Sequence, residues 1–112
     1  LMERLQLKTM FMTVLDMLDM AKRALDEENP DLATSVLAKD NLLDDINSAV
    51  TPILADYLGE HPVDRLTCLN LVSVFRKLER AGDHITNMAE EIIFFVNAKV
   101  LKHQGNTDEH YI

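Results

Sequence analysis

Apolar residues recur at alternating spacings of four and three through the first 28 residues, at Leu7, Phe11, Val14, Leu18, Ala21 and Leu25. That spacing is one face of a helix, and a strand, which alternates every second residue, does not produce it. Asn29 is placed to cap a second helix, with Pro30 at its first helical position. The second face runs Leu32, Val36, Lys39, Leu43, Ile46, Val50, Ile53 and Tyr57, with Lys39 the one charged interruption. Pro52 has no N–H to offer Ser48, so a bend is expected there, and Gly59 is expected to end the helix. A third periodic segment opens at Pro62 and carries Leu71, Phe75, Leu78, Gly82, Ile85, Ala89, Ile92 and Val96. The predicted helices span about residues 1–28, 30–58 and 62–103, forming one domain over 1–105, and the polar residues 106–112 are expected to fray.

Short connections make successive helices antiparallel, so the expected fold is all-α, an up-down-up three-helix bundle with coiled-coil-like packing. A chain of 112 residues has room for one core. Its formal net charge of −8, from 19 acidic and 11 basic residues, repels phosphate backbones and argues against nucleic acid as a partner. Cations are the better match. The single cysteine, Cys68, sits on an apolar helical stretch, which suits core filling and a reducing, cytoplasmic setting. No apolar run approaches the roughly 20 residues that span a bilayer. Leu1 opens the chain inside an already periodic segment, from which sequence upstream is expected. Five of the six methionines fall in the first 20 residues, where their helical spacing points to core or interface packing.

Charge patterning adds a candidate site. Glu79 and Asp83 each follow a seam position, Leu78 or Gly82, by one residue, about 100° around the helix. Asp40 and Asp44 follow Lys39 and Leu43 with the same offset. In an antiparallel hairpin the approximate two-fold axis places rows of equal offset on the same side. Counted from the turn near Glu60, the two pairs differ in height by about three residues, roughly 4.5 Å. Four carboxylates are therefore expected to gather on one edge of the bundle. Like charges about 4 Å apart repel by about 1 kcal/mol in water and by more where solvent is partly excluded, so something should neutralise them. Protonation, or Lys39, Arg76, Lys77 and Arg80 at the rim, would do so in part, and ion pairs within α-helical turns are the simplest alternative. A bound metal is the sharper answer, because carboxylate oxygens are hard ligands. Gly82, with no side chain, would let the seam close between the ligand-bearing turns.

Several chemistries lack their residues. A ferritin-like di-iron centre needs a Glu three residues before a His, whereas Leu58, Ala81, Val100 and Thr107 hold those places before His61, His84, His103 and His110. Zinc catalysis lacks a His/Cys cluster, and there is no phosphate-binding glycine loop or nucleophile elbow. His84 is expected to face solvent or a helix neighbour rather than to serve as a ligand. No enzyme is expected.

The stretch "LERAGDHITNMAEE", together with "NPDLATSVLAKDNLLDDI", resembles the PhoU family of phosphate-uptake regulators, whose helical repeats carry a Glu/Asp-x-x-x-Asp motif. The resemblance covers nearly the whole chain and amounts to one three-helix repeat, where family members usually hold two. It implies that Asp40, Asp44, Glu79 and Asp83 bind a divalent or trivalent metal, iron or zinc first, with magnesium or manganese as further options. It also implies a cytoplasmic negative regulator that reaches the membrane only through its partners, the ATPase of the phosphate transporter and the phosphate-sensing histidine kinase. Near the third helix the family often has Asp-Leu-Arg, where this chain reads Asp64-Arg65-Leu66. The alternative is a helical interaction module without functional metal, such as the PhoU-like tail of a sodium/phosphate cotransporter. Either way, an isolated repeat is expected to form a homodimer.

Overall fold

A computed structural model describes residues 1–108, with side chains through His103. It is an antiparallel bundle of three long helices preceded by a single short one. The helices are α1 (Met2–Leu5), α2 (Leu7–Glu27), α3 (Pro30–Glu60) and α4 (Arg65–Asp108), with a 3-10 turn over Pro62–Asp64 before α4. The rod measures 71 × 19 × 16 Å. There is no strand among the described residues, and no helix there is long and apolar enough to cross a membrane.

The first periodic segment is not one helix. Gln6 adopts a left-handed conformation (φ 59°), and the backbone restarts as α2 with Met10 N–H donating to the Gln6 carbonyl. The break tucks Leu5 into the core at 1% exposure. At the other end of α2, Glu28 is also left-handed and donates to Leu25 O, while Asn29 donates to Ala24 O. These paired bonds close the last turn although no glycine stands there. Asn29 then begins α3 as expected, its side chain accepting from Asp31 N–H and Leu32 N–H, with Pro30 in the first turn.

Helix α3 continues through Pro52 and ends at Glu60, not at Gly59, whose φ is not positive. The stop comes from Pro62, which disfavours helical backbone at the residue before it, and His61 accordingly leaves the helical region (φ −132°, ψ 62°). Tyr57 ties the connection down by donating its hydroxyl to Asp64 at 2.6 Å and stacking on His61 with ring centroids 4.3 Å apart. That hydrogen bond raises the Tyr57 pKa, with burial adding to it. Helix α4 runs on through Asp108, so the first residues of the tail expected to fray are helical, and 109–112 lie outside the described residues.

Phe75, Leu43, Val36, Met10 and Met17 are the large side chains at the centre of the core, and Cys68 is buried there as filler. On α3 and α4 the buried positions largely follow the expected seams. On α2 they do not. Met10, Val14, Met17, Ala21 and Ala24 face inward, while Phe11, Leu18 and Leu25 are about half exposed. The two rows share Val14 and Ala21 and differ by one residue elsewhere, so the helix is rotated from its expected phase. Helix α2 is apolar over more than one stripe, so its periodicity by itself admits either phase.

Candidate metal centre

The hairpin of α3 and α4 closes most tightly at Gly82. A Cβ there would lie 2.4 Å from Leu43 Cδ1 and 3.3 Å from Asp40 Oδ1. Leu43 is fully buried, so a side chain at position 82 would have to push Leu43 aside within a close-packed core. The contact draws Asp40 against the α4 backbone. Its Oδ1 is buried without a hydrogen-bond partner among the described residues, and its carboxyl pKa is pushed up, first by burial and then by the charges of Asp44, Asp83 and Glu79.

The four sequence-predicted residues therefore share one edge and feel one another electrostatically. Asp40 is half-buried and central, whereas Asp44 and Asp83 are exposed. Glu79 is half-buried and accepts a 2.6 Å hydrogen bond from the Asn47 side-chain amide, one turn beyond Asp44. Asn47 had no place in the sequence argument, although its spacing of seven from Asp40 puts it in the same row. The expected cation partners are absent: among the described residues, none of Lys39, Arg76, Lys77 and Arg80 forms an ion pair with these carboxylates. The expected convergence is also incomplete. Among the described residues no three His, Cys, Asp or Glu side chains are positioned to hold one ion together. Asp40 turns inward and Glu79 is held by Asn47, so side-chain rotation is needed before these oxygens could share a cation. His84 is exposed, as expected.

As a donor set the edge suits a hard cation. It offers an orphaned carboxylate oxygen and a group of carboxylates without an ion pair among the described residues. The fold and this edge define a small helical module with an acidic seam. The family model of the PhoU domain matches residues 7–92, and the chain belongs to that family. It is similar to the phosphate-specific transport system accessory protein PhoU homolog 1 of Thermotoga maritima, 31% identical over 97 residues, covering 87% of this chain and 42% of the relative. The phosphate-specific transport system accessory protein PhoU homolog of Pseudomonas aeruginosa is 35% identical over 91 residues, covering 79% of this chain and 38% of the relative. The chain thus spans about two-fifths of the length of these curated relatives. No solved structure matches it.

Proposed function

We propose that the chain is a metal-responsive regulatory module of phosphate uptake, working at the acidic edge of α3 and α4. The observation that carries this is Asp40: a half-buried carboxylate with an unpartnered oxygen, set among Asp44, Glu79 and Asp83, none of which forms an ion pair among the described residues. The names of the relatives, accessory proteins of phosphate-specific transport, supply the physiological setting. Asp40, Asp44, Glu79 and Asp83 would hold iron or zinc, or else magnesium or manganese. When bound, such an ion would supply the positive charge that offsets the mutual repulsion of these carboxylates. Asp40 and Glu79 would reach such an ion only by side-chain rotation, with Glu79 giving up the hydrogen bond it accepts from Asn47. The resulting surface would contact the transporter's ATPase and the phosphate-sensing kinase in the cytoplasm, restraining uptake when phosphate is plentiful. No catalytic role is assigned to any residue.

Elemental analysis of the chain, purified without a chelator or a metal-binding tag, tests this beside the Asp40/Asp44/Glu79/Asp83 quadruple alanine variant. Metal in the parent and none in the variant is the expected result. Metal in neither, with no heat of binding for iron, zinc, manganese or magnesium, would overturn it. The failure of three carboxylates to converge favours a second reading, a helical interaction module that needs no metal. Under that reading Glu79→Ala and Asp83→Ala leave partner binding unchanged.

A further inference from the structure

The groove between α3 and α4 does not end at the acidic edge. Past Asn47 and Glu79 it opens into a hollow of about 360 Å³ whose lining is almost entirely carbon, and we infer that this hollow binds a medium-chain fatty acid by its carboxylate at Arg65. On α3, Asp40, Asp44, Asn47, Thr51, Ala55 and Leu58 follow one another at spacings of three and four. On α4 the same spacings join Asp83, Glu79, Arg76, Val72, Leu69 and Arg65. One edge of the hairpin is therefore acidic in one half and apolar in the other. Buried Leu54 and Cys68 form the floor of the apolar half, and Ala55 at its exposed rim carries only a methyl group. The volume is within the roughly 300–1,000 Å³ of small-molecule sites, which are mostly apolar with a few polar groups that fix orientation. Here Arg65 is the one charged lining residue.

Charge decides what fits and which way round. Because the helices are antiparallel, Leu58 and Arg65 lie at the turn end of the hollow and Thr51 and Val72 at the other, seven residues or about 10 Å away along each helix. Arg65 forms no ion pair among the described residues, and Asp64, its neighbour in sequence, instead accepts a 2.6 Å hydrogen bond from the Tyr57 hydroxyl. The guanidinium is thus available to a carboxylate, which it can hold by two parallel hydrogen bonds. Beyond Thr51 the groove runs on to Asn47, Glu79 and the carboxylates around Asp40, which repel an anionic head and offer nothing to an apolar tail. The occupant is therefore anionic at the turn end, apolar for about 10 Å and no longer. A medium-chain fatty acid meets these conditions, whereas a longer apolar helix would run onto the acidic edge.

Calorimetric titration of the 112-residue chain with octanoate and decanoate, below their micelle concentrations, tests the site. Both should bind, decanoate the more tightly, and decanoate should shift the methyl resonances of Leu54, Leu58, Leu69 and Val72. Arg65→Glu, at a helix start where an acidic residue is favourable, should weaken decanoate about tenfold or more. The same variant should take decyltrimethylammonium at the hollow, which the parent does not, although the net charge of −8 favours cations over the rest of the surface. Ala55→Trp fills the hollow and should abolish binding, while Leu25→Ser, in the apolar groove beside α2, should leave it unchanged. Helical circular dichroism confirms that each variant is folded. No heat with decanoate, binding indifferent to Arg65→Glu or to Ala55→Trp, or adhesion to anionic lipid vesicles without decanoate binding would each overturn the proposal. The quadruple alanine variant separates it from the metal reading, because decanoate should bind there at least as tightly as to the parent.

Discussion

The two sides of α4 are packed by opposite means. Toward α3 a glycine, Gly82, lets the helix backbone approach until Leu43 and Asp40 press against it, and the seam is sealed with an acidic edge. Toward α2 the large residues Leu18, Leu25 and Met88 flank a groove that no helix of the chain fills. Small residues at a crossing bring helices together and bury what lies beside them, even a carboxylate. Large apolar residues displaced from a crossing remain as surface. The same helix therefore presents an acidic edge on one flank and an uncovered apolar stripe on the other.

The sharpest way to break this contrast is to truncate one aromatic on each side. Phe75→Ala removes a fully buried ring and should cost about 3–5 kcal/mol in urea unfolding monitored by circular dichroism. A cost under about 1 kcal/mol would mean that the α4 core is loosely packed. Next comes Gly82→Ala. Overpacking against Leu43 costs about 1–3 kcal/mol and helix propensity returns up to about 1, so a net loss near 1 kcal/mol is expected. Gly59→Ala is the control: its Cβ would meet nothing within 4 Å, and it should stabilise by up to about 1 kcal/mol. If both glycine variants were stabilising, the tight crossing would be refuted.

Asp40→Asn should have a smaller effect, under about 1 kcal/mol after solvent screening, with a sign set by pH. The folded protein holds the Asp40 proton to higher pH than the unfolded chain does. Below the ordinary aspartate range both states carry the proton and there is no penalty. As pH rises from there through the raised value, the unfolded chain ionises first, and stability falls and stays lower. Metal-free Asp40→Asn should therefore melt higher than the parent at pH 7 and should lose that part of the fall. A melting temperature that drops at pH 7 would show that Asp40 is already compensated. The smallest effect belongs to Phe11→Ser, within about 0.5 kcal/mol when measured on the monomer at high dilution, because Phe11 faces out. A cost like that of Phe75→Ala would put Phe11 back in the core.

Much of this molecule was legible in its pattern of residues. Periodicity alone yields three long helices, Asn29-Pro30 marks where α3 begins, and matched offsets pick out Asp40, Asp44, Glu79 and Asp83 as occupants of one edge. Gly82 was readable as a point of close approach. The break at Gln6 was not, because nothing about a glutamine announces a left-handed backbone, which here serves to bury Leu5. The bond from Asn47 to Glu79 was equally hidden, since it depends on side-chain direction across the hairpin.

By itself the sequence determined the helical class, the antiparallel order and the acidic edge, because each follows from local spacing and short connections. Only tertiary structure decided the phase of α2, whether Phe11, Leu18 and Leu25 or Met10, Met17 and Ala24 turn inward. Both rows satisfy the same helical period. The choice between them lies in how α2 packs against α3 and α4, which the period of a single helix does not encode.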